Sequence, residues 1–100
     1  MNARTTALSA LIAMRRQNAW ADGALKEYTA RARIDRRDAA LCARLLYGVV
    51  QNRMLLDFYL AQAVASPLAK LQPVVLDILR LGAYQILFLD KIPVSAAVNE

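Results

Sequence analysis

Apolar residues recur every three or four positions along most of this chain, a spacing that predicts helices rather than strands. The first helix runs from about Ala3 to Gln17, with Leu8, Leu11 and Ile12 on one face. Arg4 and Arg15 share that stripe, about 16 Å apart on an α-helix, and Arg16 lies beside Arg15. A break at Asn18 to Gly23 follows, with Trp20 expected as an apolar plug. A short second helix, about Ala24 to Arg33, places Leu25, Tyr28 and Ala32 on one side.

The third helix has the clearest start. Asp35 suits the N-cap, Asp38 lies near the positive helix end, and Ile34 with Ala39 can form a hydrophobic staple. It is predicted to reach Gln51 with Leu41, Cys42, Leu45, Leu46, Val49 and Val50 inward. Gly48 in mid-helix costs about 1 kcal/mol against Ala, which implies that another backbone comes close, and the same argument covers Gly82. A fourth helix, Leu55 to Val64, has Leu56, Tyr59, Leu60 and Val64 as its inner stripe and stops before Ser66-Pro67. Pro73 suits the first turn of a fifth.

That fifth helix, Val74 to Leu89, is apolar around nearly its whole circumference. Such a helix is surrounded by other elements, so it is the expected central rod of an all-α bundle. Asp77, Arg80 and Gln85 interrupt it, and Gln85 is expected to hydrogen-bond a neighbouring helix terminus. Asp90-Lys91 closes it, Pro93 turns the chain, and Val94 or Ser95 begins another helix. Five complete helices are few to cover so oily a rod. The expectation is therefore a bundle truncated at its C-terminal end, with Glu100 an excision point in a larger protein and an uncovered surface that would favour self-association.

Composition sharpens this picture. At 58% hydrophobic residues with three Gly and three Pro, the chain exceeds the roughly 45–50% apolar content of ordinary soluble domains and holds few helix breakers. The fifth helix is still shorter than the roughly twenty residues a membrane span needs, and charges interrupt it. The N-terminus has no secretory signal pattern, so a cytoplasmic protein without a membrane partner is expected. Cys42 stands alone and there is no His, which removes an intrachain disulfide and the usual Cys/His metal site. Cys42 lies among leucines and is expected to be an inert packed thiol.

Charge is concentrated in one half. Met1 to Arg53 carries ten Lys or Arg against four Asp or Glu, whereas Met54 to Glu100 carries three against four. Nine of the ten cations are Arg. The asymmetry points to a polyanionic partner, with a solvated basic surface as the plainer alternative.

The strings LLYGVVQNRMLLDFYL and LRLGAYQILFLDKIPVSAAVNE, with NARTTALSAL before them, resemble one family. It is the N-terminal NusB-like domain of the bacterial ribosomal RNA small-subunit cytosine-5 methyltransferases of the RsmB (Sun/Fmu) type. The resemblance spans residues 1–100. It departs where Ala39 follows Asp38 and where Gln51 takes a place often held by Arg, with Arg53 nearby. It implies an RNA-binding helical domain whose S-adenosylmethionine-dependent catalytic domain lies beyond Glu100. Residues 1–100 hold no catalytic residues of that reaction, having neither a glycine-rich loop after a strand nor a cysteine pair. The expected partners are small-subunit ribosomal RNA and the catalytic domain of the same chain.

By the same resemblance Arg4 is an expected RNA contact; Arg15 and Arg16 extend its helix, and Arg33, Arg36 and Arg37 form a second expected RNA-binding cluster around a helix start. Arg36 and Arg37 would add exposed helix N–H groups for phosphate. Asn99 and Glu100 are expected to play structural parts, and Trp20 and Tyr84 to belong to the core. The alternative is a NusB-type antitermination factor, which binds RNA together with a ribosomal protein and performs no chemistry. A third reading is a packing domain with a merely basic face.

Overall fold

Residues 2–89 are described by a computed structural model, in which five α-helices follow one another without a strand among the described residues. They are α1 (Ala3–Gln17), α2 (Ala21–Ala32), α3 (Arg36–Gln51), α4 (Arg53–Ala63) and α5 (Pro73–Tyr84). A 3-10 turn, Leu68–Lys70, links α4 to α5, and a π-helical turn, Gln85–Leu89, continues α5. The expectations for Asp90-Lys91, Pro93, the following helix, Asn99 and Glu100 lie outside the described residues.

The helix starts follow from local chemistry. Asn2 and Thr5 form a capping box: the Asn2 side chain accepts from the Thr5 N–H at 2.9 Å, and Thr5 Oγ1 accepts from the Asn2 N–H at 3.2 Å. Asp35 caps α3 as expected, accepting from the Asp38 N–H at 2.8 Å. α1 ends at Asn18 and α2 at Arg33, each in the left-handed region, with φ of 52° and 51°. Asn tolerates that conformation, whereas Arg is strained there by about 1 kcal/mol.

Packing selects faces that hydropathy alone misplaces. On α1 the buried residues are Ala3, Thr6, Ala7, Ala10, Leu11 and Ala13, while Leu8 and Ile12 are half-buried. Four small alanines let neighbouring backbones approach closely, so α1 packs against α2, α3 and α5. The core centres on Leu45, Leu46 and Leu56, with Cys42 among them, and all four are fully buried. Burial pushes the Cys42 thiol above its usual pKa, which keeps it protonated and unreactive.

α5 packs against α1, α3 and α4, but it does not turn a uniformly oily surface inward. Its buried residues are Asp77, Arg80, Leu81 and Tyr84, whereas Val75 and Ile78 are exposed and Ile86, beyond it, is 69% exposed. The two charged residues that interrupt the apolar run are the ones enclosed. Val50 and Tyr59, expected inside, are also exposed. Trp20 is the largest correction. At 88% exposure it plugs nothing.

Gly48 is required by a ring rather than by a backbone. Tyr84 lies on it so closely that a Cβ would overlap the aromatic carbons, and Tyr84 in turn stacks on Phe88 with ring centroids 5.1 Å apart. At Gly82 the expected close approach is missing: among the described residues nothing lies within 4 Å of a built Cβ. Gly48→Ala should therefore destabilise the fold by about 1–2 kcal/mol, overpacking outweighing the gain in helix propensity. Gly23→Ala, in open space on α2, should stabilise it by about 0.5–1 kcal/mol. Urea unfolding of the two variants checks both signs, and a neutral Gly48→Ala would show that the ring contact does not constrain the bundle.

Candidate functional site

Arg15, Asp57, Asp77 and Arg80 form a chain of charge that joins three helices. Arg80 donates from Nε to Asp57 Oδ1 at 2.8 Å and from Nη2 to Asp57 Oδ2 at 2.9 Å, a bidentate pair. Its Nη1 lies 3.8 Å from Asp77 Oδ1. Arg15 Nη2 donates to the other Asp77 oxygen at 3.1 Å. The Asp77 and Arg80 side chains are buried, and that of Arg15 remains 36% exposed. Arg15 is therefore tied to the fold at one edge and open to solvent at the other.

Beside this network lies a cleft of about 380 Å³. Leu11, Met14 and Val49 supply apolar wall, while Arg15, Arg53, Asp77 and Arg80 supply charge. Asn18 and Ala19, at the α1–α2 turn, complete one side. Its volume falls within the roughly 300–1,000 Å³ of small-ligand sites. Three guanidinium groups face one carboxylate, and that carboxylate is already shared between Arg15 and Arg80. The cleft thus favours anions.

The six arginines singled out in the sequence do not converge on it. All six are exposed, but only Arg15 lines the cleft. Arg16 borders a separate shallow groove with Ser9, Ile12 and Tyr28. Arg4, at the start of α1, donates from Nε to Gln85 Oε1 at 2.6 Å, while Gln85 Nε2 donates to the Leu81 carbonyl at 3.2 Å. Gln85 thus serves a side chain near a helix start rather than the terminus itself. Arg33, Arg36 and Arg37 surround the α2–α3 turn, about 18 Å from the α1–α2 turn along a twelve-residue helix. Any polyanion that touches both turns must be extended.

Sequence reasoning missed Arg53 and Arg80 as part of this site, together with Asn18. A signal for Arg80 was present: Asp77 and Arg80 stand three residues apart on a helix, where side chains meet, inside an otherwise apolar run. Among the described residues no group of His, Cys, Asp and Glu is placed to hold a metal ion. No described helix is long and apolar enough to cross a membrane. Away from the cleft, Tyr47 donates its hydroxyl to Asp22, and that bond pushes the phenol above its usual pKa.

An all-helical bundle with an arginine-lined cleft defines a class of small helical domains suited to anionic partners. The chain belongs to the NusB family, which matches residues 1–100. It is 35% identical over 97% of its length to a probable ribosomal RNA small subunit methyltransferase B of Bacillus subtilis, and 33% identical over 99% to one of Synechocystis. It is also 39% identical, over 61% of its length, to the transcription antitermination protein NusB of Bacillus licheniformis, spanning 48% of that protein. The chain spans 22% of the length of the two methyltransferase relatives. No solved structure gives a significant match.

The charge network carries a stability prediction. Arg80→Ala leaves Asp57 and Asp77 without their buried partner and should cost about 3–5 kcal/mol, a large part of the stability of a small domain. Arg15→Ala should cost only about 1 kcal/mol, because its pair with Asp77 is partly solvated. Chemical denaturation measures both, and equal losses would show that the network has no buried centre.

Proposed function

We propose that this chain is an RNA-binding domain that helps position small-subunit ribosomal RNA for an S-adenosylmethionine-dependent cytosine-5 methyltransferase. The observation that supports it is the near-complete match of the chain to relatives named as ribosomal RNA methyltransferases, against 61–74% coverage by NusB antitermination relatives. The chemistry agrees with it. Guanidinium groups exposed at helix ends suit phosphate oxygens and unpaired bases.

The methyl donor would sit elsewhere in the longer protein. S-adenosylmethionine carries a positive sulfonium, which the three guanidinium groups of the cleft oppose, and Asp77 is already paired twice. The described residues also contain no strand from which a nucleotide-binding loop could spring. The residues present do not fit that group. In this reading the described residues supply affinity and orientation, and a separate catalytic domain supplies the chemistry.

Binding to a small-subunit ribosomal RNA fragment at two salt concentrations tests this reading. With about four phosphates engaged, affinity should fall about fiftyfold between about 50 and 200 mM salt. Arg16→Ala and Arg37→Ala should each reduce the salt slope by about 1 without loss of stability. Arg33→Gly should weaken binding yet raise stability by about 1 kcal/mol, since Gly relieves the left-handed backbone. Arg15 is a poor probe because its loss also unbalances Asp77. Affinity indifferent to salt and to these substitutions would leave the basic surface as a solubility feature.

A further inference from the structure

Trp20 is a large aromatic residue that the core does not use. It sits at the N-cap of α2 in extended conformation, its carbonyl accepting from the Ala24 N–H at 3.0 Å. Its side chain makes no cap bond and is 88% exposed. An indole left in water forgoes a large hydrophobic gain, so its place matters. Asn18 and Ala19, the two residues before it, form part of the cleft wall with Arg15 and Arg53. The chain thus sets an exposed aromatic residue next in sequence to two residues that wall a recess with apolar sides and cationic edges.

We infer that Trp20 is a stacking platform for an unpaired base of single-stranded RNA whose neighbouring phosphates bind Arg15 and Arg53. The inference rests on the RNA reading above and deepens it, giving the RNA a strandedness and a point of contact. An apolar-walled recess ringed by guanidinium groups complements a nucleotide, which is flat and apolar at its base and anionic at its phosphate. A wholly apolar protein segment would leave Arg53 and the free donors of Arg15 unengaged. A duplex would hide its base faces from the ring. Arg15 is held by Asp77, so its free donors stand ready at the edge without a large loss of side-chain freedom.

Trp20 is the only tryptophan in the chain, so its fluorescence reports the site directly. The experiment titrates the 100-residue chain with a single-stranded oligo(A) of about ten nucleotides, a length within known single-strand site sizes. Emission should be quenched on binding, and inorganic polyphosphate, which has no bases, should leave it unquenched. Trp20→Ala should weaken oligo(A) binding about 5- to 150-fold, the range for stacking one base. Its thermal unfolding and the salt slope of binding should not change, since the ring supports neither the core nor a phosphate contact. Trp20→Phe should keep most of the affinity.

Salt-sensitive binding with an unquenched indole and an indifferent Trp20→Ala would overturn the platform while leaving the RNA reading intact. Absence of salt-sensitive binding to oligo(A) and to the ribosomal RNA fragment would overturn both. Emission shifting to the blue as protein concentration rises without RNA would mean that a second copy covers the ring, and it too would overturn the platform.

Discussion

The two-point grip of Arg80 on Asp57 is the constraint on which the rest of the structure depends. It fixes α5 against α4, and Asp77, one turn away on α5, extends the link to Arg15 on α1. Buried charge of this kind gives modest net stability, because desolvation takes back much of the Coulomb attraction. Its effect here is geometric. A slip of any one of the three helices would leave a carboxylate or a guanidinium buried without a partner, so their register is fixed by a penalty for error.

The same constraint explains the recess beside the network. Small alanines bring α1 close to α2 and α3. The long side chains of Arg15 and Arg80 both reach Asp77, beside a recess that apolar residues do not fill. Leu11 and Val49 wall the gap, and Arg53 enters from the start of α4. One arrangement therefore satisfies buried carboxylates and turns spare N–H donors outward. Support for the bundle and attraction for an anion come from the same groups.

The helical architecture was readable from the chain because helix ends and apolar spacing are local signals. α1 and α3 begin and end where their caps and periodicity place them, and Asp35 and Cys42 behave as expected. α2, α4 and α5 differ at their ends by one to a few residues, where Trp20 and Asn52 offer no side-chain cap. The inward faces were less readable, since hydropathy ranks Leu8 and Ile12 above the alanines that close packing requires. The apolar abundance of Val74–Leu89 hid the fact that its ion pair chooses the buried side. Trp20 was misplaced for a related reason: a large aromatic residue beside a turn reads as core unless it is known that the neighbouring helices meet without it. Of the site, the arginines were visible as a charge imbalance. So was their grouping into two clusters, but the distance between the clusters was not, because that depends on the length and placement of α2.

The Arg4–Gln85 bond joins residues 81 positions apart in sequence, and the Arg15–Asp77 pair joins residues 62 apart. Both fasten the first helix to the last described part of the chain. Closing loops of that size carries an entropic cost that must be met before the contacts can reward it. The three opening helices, by contrast, meet across short turns. A nascent chain leaving the ribosome would therefore gather its first three helices early, with Arg4 and Arg15 still unclasped, and lock only after the polypeptide had grown past residue 85.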